Sequence, residues 1–361
     1  MSTFIPQMEP VITDADIEAV TSYMRSGAWL TEFQHTRALE QVIREYVGAR
    51  HCVIAPNGTL ALFLALAASD IGHGDEVIVP DLTMAASATA VIMAGAAVRF
   101  ADINPATLCL DPDRIESAIT PRTRAVMFVS LNGRAPAQLP ALVSSLKARG
   151  IRVIEDAAQS LGSFVDGRHL GTFGDCGCFS FSSQKIVTMG QGGAVVTDDD
   201  ALFARMSAMR DFGRASGGSD HYLSVGWNLK FTDLQAVIGV AQMQRLPQLV
   251  ERKRWLYESY RTRLAGSSAV EFPATDLQQT SPWFVDVLAA PGTREALIAH
   301  LKASGVGSRP FYPALHGEPA FAVAGSFPVA EEVSSRGLWL PSSLRVEEAD
   351  VDRVCDAIRG F

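Results

Sequence analysis

From residue 51 onward, short unbroken apolar runs alternate with longer stretches of helical period. His51-Cys52-Val53-Ile54-Ala55 is one such run, followed by an apolar helical pattern over 59–68. Glu76-Val77-Ile78-Val79 is another, followed by a helical pattern over 83–94. Further runs lie at 97–101, 125–129 and 151–154, with a helical pattern over 139–149 between the last two. Strands that read as continuous apolar runs are covered on both faces, and a covered sheet with helical connections is mostly parallel. The pattern therefore predicts an α/β fold with a mostly parallel central sheet between helices.

The flanks read differently. Thr13-Asp14-Ala15-Asp16 opens a helix that ends near Gly27, with Asp in place of the usual Glu of a capping box, and a second helix spans 32–47 before Gly48. After residue 185 come a strand at 194–197, a helix over 199–210, a Gly/Ser-rich loop over 213–226, and helices over 232–243 and 246–264. The remainder holds a short strand after 267, a strand at 283–288, a helix over 294–304 and a last helix over 347–358. This divides the chain into a large unit, 1–245, and a smaller α/β unit, 246–361, with no internal repeat.

Composition narrows the setting. With 361 residues, 48% of them hydrophobic and 19% charged, the chain has the makings of a sizeable core. A net charge of −8 with no basic run argues against a nucleic-acid surface. The start, Met1-Ser2-Thr3-Phe4-Ile5-Pro6, lacks the basic region and apolar run of a signal peptide. The most apolar segments, such as 60–68, fall short of the roughly 20 residues that span a bilayer. The cysteines, Cys52, Cys109, Cys176, Cys178 and Cys355, are odd in number and scattered, which suits a reducing cytoplasm better than a disulfide framework. Cys176 and Cys178 share one face of an alternating segment. No second Cys/His pair has zinc spacing, so they read as small core residues in preference to metal ligands.

The candidate chemistry centres on Lys185. It closes Ser180-Phe181-Ser182-Ser183-Gln184-Lys185, ahead of Gly190-Gln191-Gly192-Gly193 and downstream of the apolar run Val153-Ile154 that ends on Glu155-Asp156. A lysine in a small-residue loop, an acid at a strand end and a serine between them suit an aldehyde cofactor with a pyridine ring and a phosphate. The lysine would form a Schiff base with the aldehyde, the acid would hold a proton on the ring nitrogen, and a hydroxyl would hold the phosphate. Gly58 and Thr59 open a helix after a strand, where backbone amides make an anion site. Taken singly, Asp156 reads more readily as a helix cap or surface acid, and Asn57-Gly58-Thr59 equally as a turn; Lys185 downstream is what shifts the reading of Asp156. No GxGxxG or Walker sequence supports dinucleotide or ATP binding.

In order and spacing, five blocks resemble the DegT/StrS family of sugar aminotransferases, from about Asp14 to the C-terminus. They are Asn57-Gly58-Thr59, Gly74 to Pro80, Glu155 to Gln159, Ser180 to Lys185, and Gly226-Trp227-Asn228 through Gly239. The resemblance implies an aspartate aminotransferase-like fold (PLP fold type I) and pyridoxal 5′-phosphate as cofactor. It further implies catalytic roles for Lys185 and Asp156, Gln159 at the ring hydroxyl, Ser180 as a second phosphate ligand beside Gly58 and Thr59, and Asn228 reaching the neighbour's phosphate in a homodimer. A related dehydratase group carries histidine where this chain has Lys185, so the lysine implies transamination. Two departures stand out. Met84 occupies the place of a ring-stacking aromatic. Ser130-Leu131-Asn132-Gly133-Arg134 replaces a His-x-Tyr-Gly run, so Asn132 and Arg134 are expected to reshape the substrate pocket.

The segment 307–316, with Arg309 and His316 as candidate substrate-binding residues, is similar to that of family members that aminate a GDP-linked keto sugar. This implies transfer of an amino group from glutamate to the 4-keto carbon of a GDP-4-keto-6-deoxymannose-like sugar. Amination at another carbon, a keto sugar without a nucleotide, and a non-catalytic sensor are the alternatives. The intact set of Asp156, Ser180 and Lys185 argues against the sensor.

Overall fold

The computed structural model describes residues 4–215, 217 and 219–361. Ser216 and Gly218 of the predicted Gly/Ser-rich loop, and Met1 to Thr3, lie outside the described residues.

The large sheet is built from β1 (His51–Ala55), β2 (Glu76–Pro80), β3 (Ala97–Ala101), β4 (Thr123–Val129) and β5 (Arg152–Asp156). A two-stranded ribbon, β6 (Phe164–Val165) and β7 (Arg168–His169), intervenes before β8 (Cys176–Ser180) and β9 (Gly193–Thr197) complete the sheet. Its order is β1-β9-β8-β5-β4-β2-β3. The run from β3 to β8 is parallel, and β9 is antiparallel to both of its neighbours, β8 and β1. The expected mostly parallel sheet is present.

Helices cover both faces. The N-terminal pair is α1 (Asp14–Arg25) and α2 (Gln34–Val47); α3 (Gly58–Ala68), α4 (Ala86–Met93), α5 (Pro112–Ala118), α6 (Leu139–Ala148) and α7 (Asp200–Arg210) follow, then α8 (Asp233–Met243) and α9 (Leu246–Arg263). The Asp16 carboxylate accepts the Thr13 N–H at 2.8 Å, as the capping pattern predicts. Among the described residues no helix is long and apolar enough to cross a membrane.

The helix α3 explains how the sequence places a polar end in an apolar layer. Ala61, Leu62, Phe63, Leu64, Ala65 and Leu66 are all buried, so the helix is apolar all round and lies inside the structure. Its length is held by packing, and its only polar surface is the first turn. Truncating Leu64 to Ala would cost about 2–5 kcal/mol through lost transfer energy and the cavity left.

The smaller sheet has the order β10 (Val270–Glu271), β11 (Asp286–Ala289), β13 (Gly337–Trp339), β12 (Arg309–Pro310). It packs with α9, α10 (Arg294–Ala303) and α12 (Glu348–Arg359), while α11 (Pro328–Arg336) leads into β13. The N-terminal segment joins this unit: Ile5 bridges Val306 and is buried in the same core.

Three local differences from the sequence reading bear on function. The helix expected over 83–94 begins at Ala86, because Leu82 and Thr83 are buried and the Thr83 hydroxyl pairs with Ser87 Oγ at 3.0 Å. The strand expected at 283–288 begins at Asp286, because Trp283 turns its indole N–H to the Gln184 carbonyl at 2.7 Å. Arg134 and Asn132, expected to reshape a substrate pocket, do not line the cavity at the strand ends. The Arg134 guanidinium is buried and donates to both oxygens of Asp286, at 2.7 and 2.9 Å, with Thr275 and Tyr257 beside it. Asn132 exchanges two hydrogen bonds with the Phe284 backbone, at 2.9 and 2.8 Å. Both side chains tie the loop after β4 to the β11 segment. A buried guanidinium needs a carboxylate, and Asp286 supplies it.

Candidate active site

The parallel strands end at one edge of the large sheet, where α/β sheets bind ligands. A cavity of about 790 Å3 opens there. It is lined by the start of α3, the 83–86 turn, the end of β5, Ser180, the 182–185 loop, Trp283, Arg309 and Tyr312.

Asp156 is the last residue of β5 and is buried. Strand alternation sends Glu155 to the opposite face, where it accepts the N–H groups of Gly171 and Gly174 at 2.8 and 2.6 Å. Adjacent acids thus have different tasks: Glu155 pins a loop and Asp156 faces the cavity. The Asp156 carboxylate accepts the Ser87 hydroxyl at 2.7 Å and the Ala158 N–H at 3.2 Å. Burial pushes its pKa up, and the Ser87 bond, the Ala158 N–H and Lys185 oppose that rise.

Lys185 is half-buried, and its loop is held by its own N–H on the Ser182 carbonyl at 2.9 Å. Its Nζ lies 3.9 Å from the centre of the Trp283 ring. Burial lowers its pKa to about 8, against the upward pull of Asp156. An amine so placed exchanges protons near neutral pH.

At the start of α3, the Asn57 side chain accepts the Leu60 N–H at 2.9 Å, and the Ala61 N–H bonds the Asn57 carbonyl at 3.0 Å. Among the described residues no partner is recorded for the Gly58 and Thr59 amides, which therefore remain at the positive helix end. A Cβ on Gly58 would come within 2.8 Å of Ser180 Cβ, so glycine is what lets the helix start approach Ser180. Two free amides and two hydroxyls at a helix N-terminus fit a phosphate, and an acid and a lysine line the same cavity as the remaining parts of the cofactor would require.

The other expected residues divide. Gln159 lines the cavity and accepts the Asn132 N–H at 2.7 Å through Oε1. Met84 lines it and is 47% exposed, leaving its face open to a ring. Arg309 is exposed at the rim, near Gln184 Oε1 at 3.5 Å, which leaves its fork available to an anion. His316 is not brought to the cavity: its Nδ1 pairs with the buried Asp81 at 2.7 Å, and its ring packs on Phe327. Asn228 is exposed and lies outside the lining of its own chain's cavity. Ser87, Trp283 and Tyr312 escaped the sequence reading. Ser87 sits in a plain small-residue helix, and Trp283 and Tyr312 come from the distant C-terminal unit, so no local spacing marks them.

The DegT/DnrJ/EryC1/StrS aminotransferase family matches residues 10–359, and so takes in every residue just described. The chain belongs to this family. A GDP-perosamine synthase of Caulobacter vibrioides is 36% identical, with 99% of this chain and 97% of that protein covered. The aminotransferase TlmJ from Streptoalloteichus hindustanus is 31% identical and superposes with a TM-score of 0.93, covering 99% of this chain and 98% of the other. DesI, solved in the presence of its TDP-sugar product, is 33% identical with a TM-score of 0.90, covering 99% and 93%. As a DegT/DnrJ/EryC1/StrS enzyme, this protein is a sugar aminotransferase that depends on pyridoxal 5′-phosphate, and its fold is that of the aminotransferases.

Proposed function

We propose that this enzyme passes an amino group from glutamate to the 4-keto carbon of a GDP-linked 4-keto-6-deoxy sugar, resembling GDP-4-keto-6-deoxymannose. The observation that carries the reading is that Asp156, Lys185 and the free amides of Gly58 and Thr59 line one cavity whose rim bears Arg309. The likeness to a GDP-perosamine synthase supports the choice of sugar.

When bound, pyridoxal phosphate supplies an electron sink beside its aldehyde carbon. The protein does the rest. Gly58, Thr59 and Ser180 hold the phosphate; Asp156 keeps a proton on the ring nitrogen by placing a carboxylate beside it; Gln159 contacts the ring hydroxyl; Met84 covers one ring face through its soft sulfur. Lys185 would hold the cofactor and, when its amine is free, would move a proton from the donor's carbon to the neighbouring carbon. Arg309 pairs with phosphate oxygens of the nucleotide sugar. His316 acts indirectly, by holding Asp81 and the turn that carries Met84.

Asn228 serves a second chain. It is exposed beyond its own cavity, and the neighbouring segments carry exposed Trp29, Leu30, Phe33, Tyr222, Leu223 and Val225. Thr31 bridges Thr232, so these apolar residues lie on adjoining stretches, as a homodimer face would have them. We assign the cofactor-binding unit to the chain up to residue 245, apart from the N-terminal segment around Ile5 that packs with the smaller unit of 246–361, and place the enzyme in the cytoplasm.

The test is a panel of GDP- and TDP-linked keto sugars with glutamate, read by product mass. Amination of the GDP-linked 4-keto-6-deoxy sugar ahead of the others is the expected result. Preference for a sugar without a nucleotide overturns the substrate assignment.

A further inference from the structure

Trp283 both touches Lys185 and is anchored from the opposite side. Its indole ring lies 3.9 Å below Lys185 Nζ, and its Nε1–H donates to the Gln184 carbonyl at 2.7 Å, one residue before that lysine. Behind it, Phe284 stacks on its ring at 3.8 Å and Trp339 meets it edge-on at 5.8 Å. Its carbonyl accepts Lys253 Nζ at 2.9 Å, and the same amine reaches the Ser342 carbonyl at 2.5 Å. The ring is 4% exposed overall, and what it exposes lines the active-site cavity.

We propose that Trp283 is a positioning residue whose indole face cradles the Lys185 amine whenever that amine is not bonded to the cofactor, and stabilises it as an ammonium between taking up a proton and giving it back. This rests on the reading of Lys185 as the base. An aromatic face carries negative potential and attracts an ammonium, most strongly for Trp and most strongly where water is excluded. The amine nitrogen would take a proton from the donor's carbon, be a cation for that interval, and give one proton to the neighbouring cofactor carbon, ending neutral again, so nothing else is consumed. The indole also gives the released side chain one place to rest, and the Gln184 bond ties that place to the lysine's own loop. The titratable and charged groups around the amine are Asp156 from β5, Arg309 from β12, Tyr312 from the segment after it, and Lys253 behind the indole on α9. Asp156 favours the ammonium and burial opposes it, while Tyr312, pushed up by burial, stays neutral through the working range. The indole is the uncharged group added to this balance.

The experiment uses full-length enzyme loaded with pyridoxamine 5′-phosphate, the aminated cofactor, which leaves Lys185 unbonded. The protein is labelled with acetic anhydride across a pH series, and the Lys185 peptide is quantified by mass spectrometry to give the amine's pKa. Trp283→Leu is expected to lower that pKa by about half a unit to one and a half units. An unchanged or raised pKa overturns the proposal, since it would leave the ring as a water-excluding wall only. Should Trp283→Leu not fold, the wild-type chain grown on 5,7-difluorotryptophan keeps the ring shape and weakens its face. A fall in the same direction supports the proposal, and no fall removes it. Labelling needs no turnover: a wild-type enzyme that transfers no amino group while the shift is present removes the functional reading, and normal wild-type transfer with no shift removes this inference alone.

Discussion

Ser87 Oγ donates to Asp156 Oδ2 at 2.7 Å, so a residue of α4 sets the charge state of the acid at the end of β5. Thr83 in turn pairs with Ser87 at 3.0 Å and orients that hydroxyl. The bond opposes the upward push of burial on Asp156. Ser87→Ala removes it, and the carboxyl pKa rises further. The acid then begins to lose its charge at a higher pH than in the wild type. We expect kcat to fall about ten- to a hundred-fold, the size of a hydrogen bond to a charged group, and the acidic limb of the kcat profile to move to higher pH. A profile displaced to lower pH, or not at all, contradicts the role given to Ser87.

Arg134 and Asp286 form a buried ion pair between the loop after β4 and β11. Asp286→Asn leaves a guanidinium in the core without its carboxylate, and should cost about 3–5 kcal/mol of stability in a denaturant titration. The double variant Arg134→Met, Asp286→Leu should recover most of that loss. An Asp286→Asn protein as stable as wild type would show that the pair is not what joins these segments.

Lys253 is buried, and burial lowers its pKa to about 7. Below that value it is protonated folded and unfolded alike. Between about 7 and its ordinary value near 10.4 the unfolded chain binds more protons, so the wild type's stability rises with pH through this window. Relative to Lys253→Met, the wild type should gain up to about 3 kcal/mol from pH 7 to pH 9.5. The unfolding free energies of both proteins at the two pH values check this, and a gain in the reverse direction refutes it.

Lys185→Ala should abolish turnover, and Asn228→Ala should weaken cofactor retention with the fold intact. Mixing the two variants, under conditions where subunits exchange, should raise activity above that of either alone. One site of each mixed dimer then draws an intact Lys185 from one chain and an intact Asn228 from the other. Absence of rescue counts against a site shared between subunits.

Arg309→Ala should raise KM for the nucleotide sugar about ten-fold or more and leave KM for glutamate near its wild-type value, as loss of uniform binding to one substrate does. Steady-state kinetics with each substrate varied in turn separates the two. An equal rise in both would place Arg309 elsewhere in the mechanism.

Where a candidate residue's place depends on its own stretch of chain, that place was legible in the sequence. The positions of Asp156 at a strand end and of Gly58-Thr59 at a helix start follow from local pattern, while their pointing to one cofactor with Lys185 came only from the three taken together. Unbroken apolar runs likewise announced the parallel sheet, since strands covered on both faces have no polar side to show. Tertiary structure decided what no local pattern encodes. Asn132 and Arg134 were expected at the substrate, yet they clamp Phe284 and Asp286, because a buried guanidinium goes where its carboxylate is. His316 turned to Asp81 for the same kind of reason. Ser87 and Trp283 became partners of the site only when α4 and the 280–285 segment folded across the sheet edge. Contacts between residues tens to hundreds of positions apart follow from packing and charge pairing in three dimensions, which neither the period nor the spacing of a sequence records.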